Sequence, residues 1–293
     1  MVNSRRTRTA WLLMAPMLAV LAIVAAWPLA RSIWLSFTDA RFDQLSGRFV
    51  GLENYVGEYG LFFNDGSLIE PRWAGAIGNT LFFALVSVAL ETVLGLAIAL
   101  LLDCEFRGRR LVTAAVLVPW AIPTVVSAKL WDWMLQQQYG ILNSVLAWCG
   151  FERIAFTTDH PMFSVLLVDI WKTTPFMSLL ILAALKMLPR DCYEAAFVDG
   201  IHRVKVFFHV TLPLIRPALT VAVIFRLLDA LRVFDVIYVL TGTVDSTISM
   251  SGFVQNQMIG NGYVGFGSAA STVLFVIIGA CTLAMMKISR FKA

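Results

Sequence analysis

The chain has 293 residues, of which 59% are apolar and 14% charged, with a mean hydropathy of +0.77, where a soluble domain carries about a quarter charged residues. That composition excludes an ordinary water-soluble enzyme, and a bilayer-spanning helix needs roughly 20 apolar residues, so the length accommodates several crossings. The formal net charge of +4 does not indicate nucleic acid, because the 23 Lys and Arg are scattered through short segments and form no dense stripe.

Apolar stretches long enough to cross a membrane run over about 10–37, 76–102, 111–136, 163–185, 217–240 and 268–287. They predict an all-α, polytopic membrane protein with six transmembrane helices in one domain, 1–293. The first run follows Arg5, Arg6 and Arg8 as a signal peptide would, but it continues past Trp34, beyond the 7–15 apolar residues of such a signal. It is read as a retained membrane helix. Segment 38–75, with Gly51, Asn54, Gly57, Asp65, Gly66 and Pro71, is the longest non-spanning stretch, either a cap over one mouth or a link between helices.

Residues 1–10 hold three Lys or Arg, 103–110 three, 186–216 five and 287–293 three, whereas 38–75 hold three, 137–162 one and 241–267 none. By the positive-inside rule both termini are expected in the cytoplasm, in the plasma (inner) membrane of a bacterium. The cysteines, Cys104, Cys149, Cys192 and Cys281, fall in separate segments without metal-ligand spacing, so packing is their expected role. His160, His202 and His209 show no catalytic pattern and are expected in solvated loops.

The inner loop 186–216 reads as a helix, a stop and a second helix. Asp191 with Glu194 three residues later has capping-box spacing, and Gly200 suits a left-handed helix end. Val204, Phe207 and Phe208 then recur at helical spacing, and Pro213 and Pro217 mark the return to the membrane. An amphipathic loop helix with small Ala195 and Ala196 either lies on its own protein or lipid, or docks closely on a partner.

Glu194-Ala195-Ala196, Gly200 four positions on, nine further residues and then Val210-x-Leu212-Pro213 resemble the EAA motif in permease subunits of binding-protein-dependent ABC importers. Asp199 and Pro217 also fit, and Val210 stands where Ile is usual. Phe225 to Gly242, Asn79-Thr80-Leu81, Pro119, Pro123 and Trp171 to Met177 are similar to the carbohydrate branch, nearest the maltose and trehalose type. The resemblance implies a type I importer permease fold and four kinds of partner: a second, non-identical permease, two copies of an ATP-binding subunit, an extracytoplasmic sugar-binding protein and membrane lipid. Residues Glu194, Ala195, Ala196, Asp199, Gly200, Leu212 and Pro213 would then couple to the ATPase. No G-x-x-x-x-G-K-[ST] loop or other catalytic motif occurs in the chain, so ATP and Mg are expected in the partner subunits only.

Span five carries Arg226, Asp229, Arg232 and Asp235 at intervals of three. Each charge near the bilayer centre costs roughly 2.5–3.5 kcal/mol on insertion scales, and i, i+3 pairing of Arg226 with Asp229 and Arg232 with Asp235 reduces that cost. Lys129 with Asp132 and Asp169 with Lys172 repeat the spacing in spans three and four, which suggests one polar cavity opening outward. Glu91 and Arg226 lie at similar depth, counted at about 1.5 Å per residue from the inner boundary, and are expected to pair across helices. Trp171, Lys172, Asp229, Arg232, Phe234, Asp235 and Tyr238 supply the polar groups and aromatic faces that a sugar's hydroxyls and C–H surface call for. The expected function is therefore the permease half of an ATP-driven importer of a di- or oligosaccharide. The alternatives are glycerol-phosphate or polyol cargo in the same architecture, and an ion-coupled secondary transporter using Glu91, Asp229 and Asp235.

Overall fold

The computed structural model describes residues 4–62 and 67–290, so Asp65 and Gly66 lie outside the described residues. In chain order the helices are α1 (Ser4–Leu21), α2 (Trp27–Leu35), α3 (Glu53–Val56), α4 (Pro71–Asp103), α5 (Arg109–Ala121), α6 (Thr124–Leu135), α7 (Ile141–Trp148) and α8 (Phe156–Asp159). They continue with α9 (Pro161–Lys186), α10 (Arg190–Val198), α11 (Arg203–Val206), α12 (Leu212–Ala230), α13 (Asp235–Leu240), α14 (Met250–Gln255) and α15 (Val264–Arg290). Thr38 and Phe49 pair in an isolated antiparallel bridge. Two compact units are resolved: the chain up to Trp73 with Phe253–Val276, and Ala74–Gly252 with the chain from Ile277 onward.

In the first unit a π-helical turn, Ala22–Ala26, joins α1 to α2, giving an apolar span Trp11–Leu35 whose side chains are exposed along its length. Beyond it, Asn54 ties the chain to itself by donating through Nδ2 to the carbonyls of Ser36 (2.8 Å) and Thr38 (2.9 Å). Trp73 packs against Phe253, ring centroids 5.2 Å apart. Gly265 is required by a close approach, since a Cβ there would lie 2.0 Å from the Thr38 carbonyl oxygen.

The second unit holds the rest of α4, the long helix α9 and the α11–α12 helix, which pack through two apolar clusters. One gathers Phe83, Val88, Val165, Val168, Ala230, Val236 and Ile237, and the other Ala99, Ile181, Leu185 and Ile215. Gly95 brings α4 against α9, where a Cβ would meet Met177 Cβ at 2.9 Å. Small residues at such contacts let spanning helices approach closely.

Two predicted spans differ from the structure. The stretch 111–136 is not one helix: α5 and α6 meet at 95° across Ile122 and Pro123. The residue before a proline is pushed out of the α region, and Ile122 accordingly takes φ −77°, ψ 135°. The stretch 217–240 is displaced, because the apolar helix runs over Arg203–Ala230 and ends before Arg232. Residues 231–234 turn, and Asp235 starts the separate helix α13. Among the described residues, five helices are thus long and apolar enough to cross, or six if the bent pair counts as one. Two cysteines also depart from the packing role, Cys104 and Cys149 being exposed.

The broken segments are held by side chains. Asn79 Nδ2 donates to the carbonyls of Asp245 (2.9 Å) and Ile248 (3.1 Å), and Thr80 Oγ1 accepts from Met250 N–H at 2.9 Å. Ser249 Oγ donates to the Val233 carbonyl at 2.7 Å, satisfying backbone in the turn after α12.

Candidate functional site

Arg226, on α12, is buried at 2% exposure among three carboxylates. Its Nε donates to Glu91 Oε2 at 2.5 Å and its Nη2 to Glu91 Oε1 at 2.9 Å, joining α12 to α4. The same Nη2 donates to Asp169 Oδ2 on α9, and Nη1 reaches Asp229 Oδ2 at 3.1 Å. Thr173 Oγ1 stands 2.7 Å from Glu91 Oε1. A buried charge persists only when paired and hydrogen-bonded, and the planar five-donor guanidinium suits this fork of acceptors. Three helices are therefore pinned at one level.

Of the other expected pairs, Arg226–Asp229 forms, and Lys129 lies 3.5 Å from Asp132. Asp169 does not pair with Lys172, because Arg226 takes up its carboxylate. Lys172 Nζ instead donates to the Ile122 carbonyl at 2.7 Å, the group freed where α5 breaks. Arg232 and Asp235 are not bridged among the described residues, since the end of α12 at Ala230 removes the i, i+3 helical geometry.

A cavity of ≈ 310 Å³ is lined by Asp169, Lys172, Arg226, Asp229, Arg232, Phe234 and Asp235, with Trp120, Thr124 and Thr173. A second, of ≈ 330 Å³, shares Trp120, Thr173, Arg226, Asp229 and Arg232 and adds Phe176 and Phe225. Trp120 stacks on Phe176 with centroids 5.8 Å apart, an aromatic wall beside the charges. Two expected residues stand off this wall. Trp171 packs edge-on against Trp131 at 5.5 Å, and Tyr238 stacks on Phe234 at 5.2 Å without lining either cavity. Trp120, Thr124 and Thr173 were missed by sequence reasoning. The signal for Trp120 was its place between Pro119 and Pro123, where a broken helix exposes side chains to a cavity.

At another level of this unit, α10 begins at Arg190, one residue before the expected cap, so Asp191 lies in the first turn, where its charge favours the helix dipole. Gly200 adopts φ +66°. Ile201 N–H donates to the Ala196 carbonyl at 3.1 Å, the 6→1 bond of a Schellman end. Glu194, Ala195, Asp199 and Gly200 are exposed, Ala196 is buried, and Val198 is 83% exposed beside Ile201 and Val204. From Arg203 the chain is helical without a gap, through a π-helical stretch Phe207–Thr211, past half-buried Leu212 and exposed Pro213, to Ala230. The second helix expected after the stop thus begins at Arg203 and runs on past Pro213 and Pro217 without a break. His202 is its cap, Nδ1 accepting from Val204 N–H at 3.4 Å, and not merely a solvated residue.

Residues 91–292 match the family described as "Binding-protein-dependent transport system inner membrane component". The chain is 38% identical to the trehalose/maltose transport system permease protein MalF of Thermococcus litoralis, over 98% of this chain and 96% of that one. It is 35% identical to the sulfoquinovosyl glycerol transport system permease protein SmoG of Agrobacterium fabrum, over 96% and 90% respectively. Among solved structures, a chain of a bacterial ABC transporter involved in import of the acidic polysaccharide alginate superposes with a TM-score of 0.82, at 25% identity, over 98% of this chain and 97% of that one. The protein belongs to the binding-protein-dependent transport system inner membrane components, and is a multi-pass permease with the type I ABC importer fold.

Proposed function

We propose that this chain forms one half of the translocation pathway for a neutral di- or oligosaccharide and is driven by a separate ATPase through α10. The observation that carries the coupling role is the exposed, rigidly ended helix Arg190–Val198 with apolar Val198 and Ile201 at its end. Glu194, Ala195, Ala196, Asp199 and Gly200 form the docking element, and Leu212 and Pro213 sit in the helix that receives its movement. Both termini lie in the cytoplasm by the Lys and Arg distribution, which places α10 on the same side as the ATPase.

The partners are two ATP-binding subunits carrying ATP and Mg, a second non-identical permease, an extracytoplasmic sugar-binding protein and lipid. Carbohydrate as cargo is supported by the relatives named for trehalose, maltose and alginate. Neutral cargo is supported by the charge of the first cavity, where Asp169, Asp229 and Asp235 face Lys172, Arg226 and Arg232 in equal number. Arg226 occupies Glu91, Asp169 and Asp229 with its own donors, an arrangement that speaks against a cation site on them.

The test is uptake of labelled trehalose and maltose into vesicles containing the full complex and its binding protein. Uptake that requires ATP at the ATPase face and is indifferent to ionophores supports the reading. Uptake driven by an ion gradient without ATP contradicts it.

A further inference from the structure

Tyr193, next to Glu194 on α10, places its Oη 3.1 Å from Thr211 Oγ1, eighteen positions along the chain. Thr211 is buried at 5% exposure and closes the π-helical stretch Phe207–Thr211, where Leu212 N–H reaches back to the Phe207 carbonyl. Single π turns inside α-helices are rare and cluster at functional sites. The extra residue re-aims the side chains of this stretch, Thr211 among them.

A groove of ≈ 410 Å³ beside this bond is lined by Tyr193 and Thr211 together with Leu100, Cys104, Leu185, Ile201 and Phe207, and reaches the surface at exposed Cys104 and Ile201. At this point the hydroxyl pair bridges α10 to the spanning helix across the groove. Along the chain α10 is joined to α9 through residues 187–189 and to the spanning helix through the turn at Gly200. A direct side-chain link from α10 to the spanning helix is a second attachment of the two beside that turn, and lets α10 and the foot of that helix move as one body.

We propose that the Tyr193–Thr211 hydrogen bond is this second attachment, a strut that passes displacement of α10 into the helix ending at Ala230. Tyr193 and Thr211 are then positioning residues for coupling. The proposal rests on the reading of α10 as the element that meets the ATPase.

The experiment uses the full complex, reconstituted with its binding protein and with maltose as the probe. Tyr193→Phe and Thr211→Val each remove only the hydroxyl, and a hydrogen bond of this kind contributes about 1 kcal/mol. Each is expected to lower maltose uptake per ATP hydrolysed about three- to tenfold at an unchanged KM for uptake, with the ATPase subunit still bound. The double variant loses no more than the worse single, because both remove one interaction, and Thr211→Ser restores coupling. Uptake per ATP within about twofold of the unaltered complex in Tyr193→Phe, with the ATPase bound, overturns the strut. If the unaltered chain retains no ATPase subunit, the coupling reading itself falls and takes the strut with it.

Discussion

Lys172 reaches from α9 to the carbonyl of Ile122, 2.7 Å away, at the point where α5 stops and α6 leaves at 95°. The pairing explains how a broken helix is tolerated at membrane depth, where freed backbone groups must find partners inside the protein. Lys172→Met keeps the aliphatic stem and removes the donor. It should destabilise the purified protein by about 1 kcal/mol, the low end of the cost of an unsatisfied group because the Ile122 carbonyl is only partly buried, read as a lowered Tm in detergent. An unchanged Tm would show that solvent satisfies Ile122.

Arg226 and its carboxylates make a second expectation. Arg226→Ala would leave Glu91 and Asp169 buried without a counter-charge, and removing one partner of such a pair costs about 3–5 kcal/mol. Recovery of folded protein in detergent should collapse. The charge swap Glu91→Arg with Arg226→Glu should improve on Arg226→Glu alone yet stay below the unaltered chain, since the new carboxylate would face Asp169 and Asp229. Complete recovery by the swap would mean that Glu91 alone matters to Arg226.

Gly95 lies one turn beyond Glu91, and its missing side chain sets the spacing of α4 and α9. Gly95→Val overpacks this contact at a cost of about 1–3 kcal/mol and pushes Asp169 and Thr173 away from Arg226. Thermal stability and uptake should fall together. A variant with both intact would show that the helices part without consequence.

Gly200 offers a cleaner separation of backbone from packing, because a Cβ there would meet nothing within 4 Å. Within the chain itself, a loss of stability on substitution then comes from the left-handed conformation, about 1–2 kcal/mol for a residue with a Cβ and less for Asn. Gly200→Val should reduce uptake while membrane insertion survives, and Gly200→Asn should retain most of it. Equal behaviour of the two would remove the left-handed end from the account.

Much of this was legible in the residues. Apolar run lengths gave the helices, the Glu194 to Pro213 spacing gave the loop, and Gly200 announced its left-handed end. The breaks were less legible. Ile122-Pro123 carries the local rule that stops a helix, but a continuous apolar run hides it, and the turn after α12 is held at the Val233 carbonyl by Ser249, sixteen residues further along the chain. Pair partners were readable for Arg226 with Asp229 and with Glu91, but the same i, i+3 spacing did not join Arg232 to Asp235. They were not readable for Lys172, whose acceptor is a backbone carbonyl fifty residues away that exists only because a helix broke.

The most direct test of the central claim is purification of this chain in mild detergent, with and without Glu194→Arg, followed by identification of the subunits that accompany it and of their ATPase activity. The account predicts that an ATP-binding subunit and a second permease come with the unaltered chain and that the substitution detaches or uncouples the ATPase. Recovery of this chain alone, with transport intact, would contradict it.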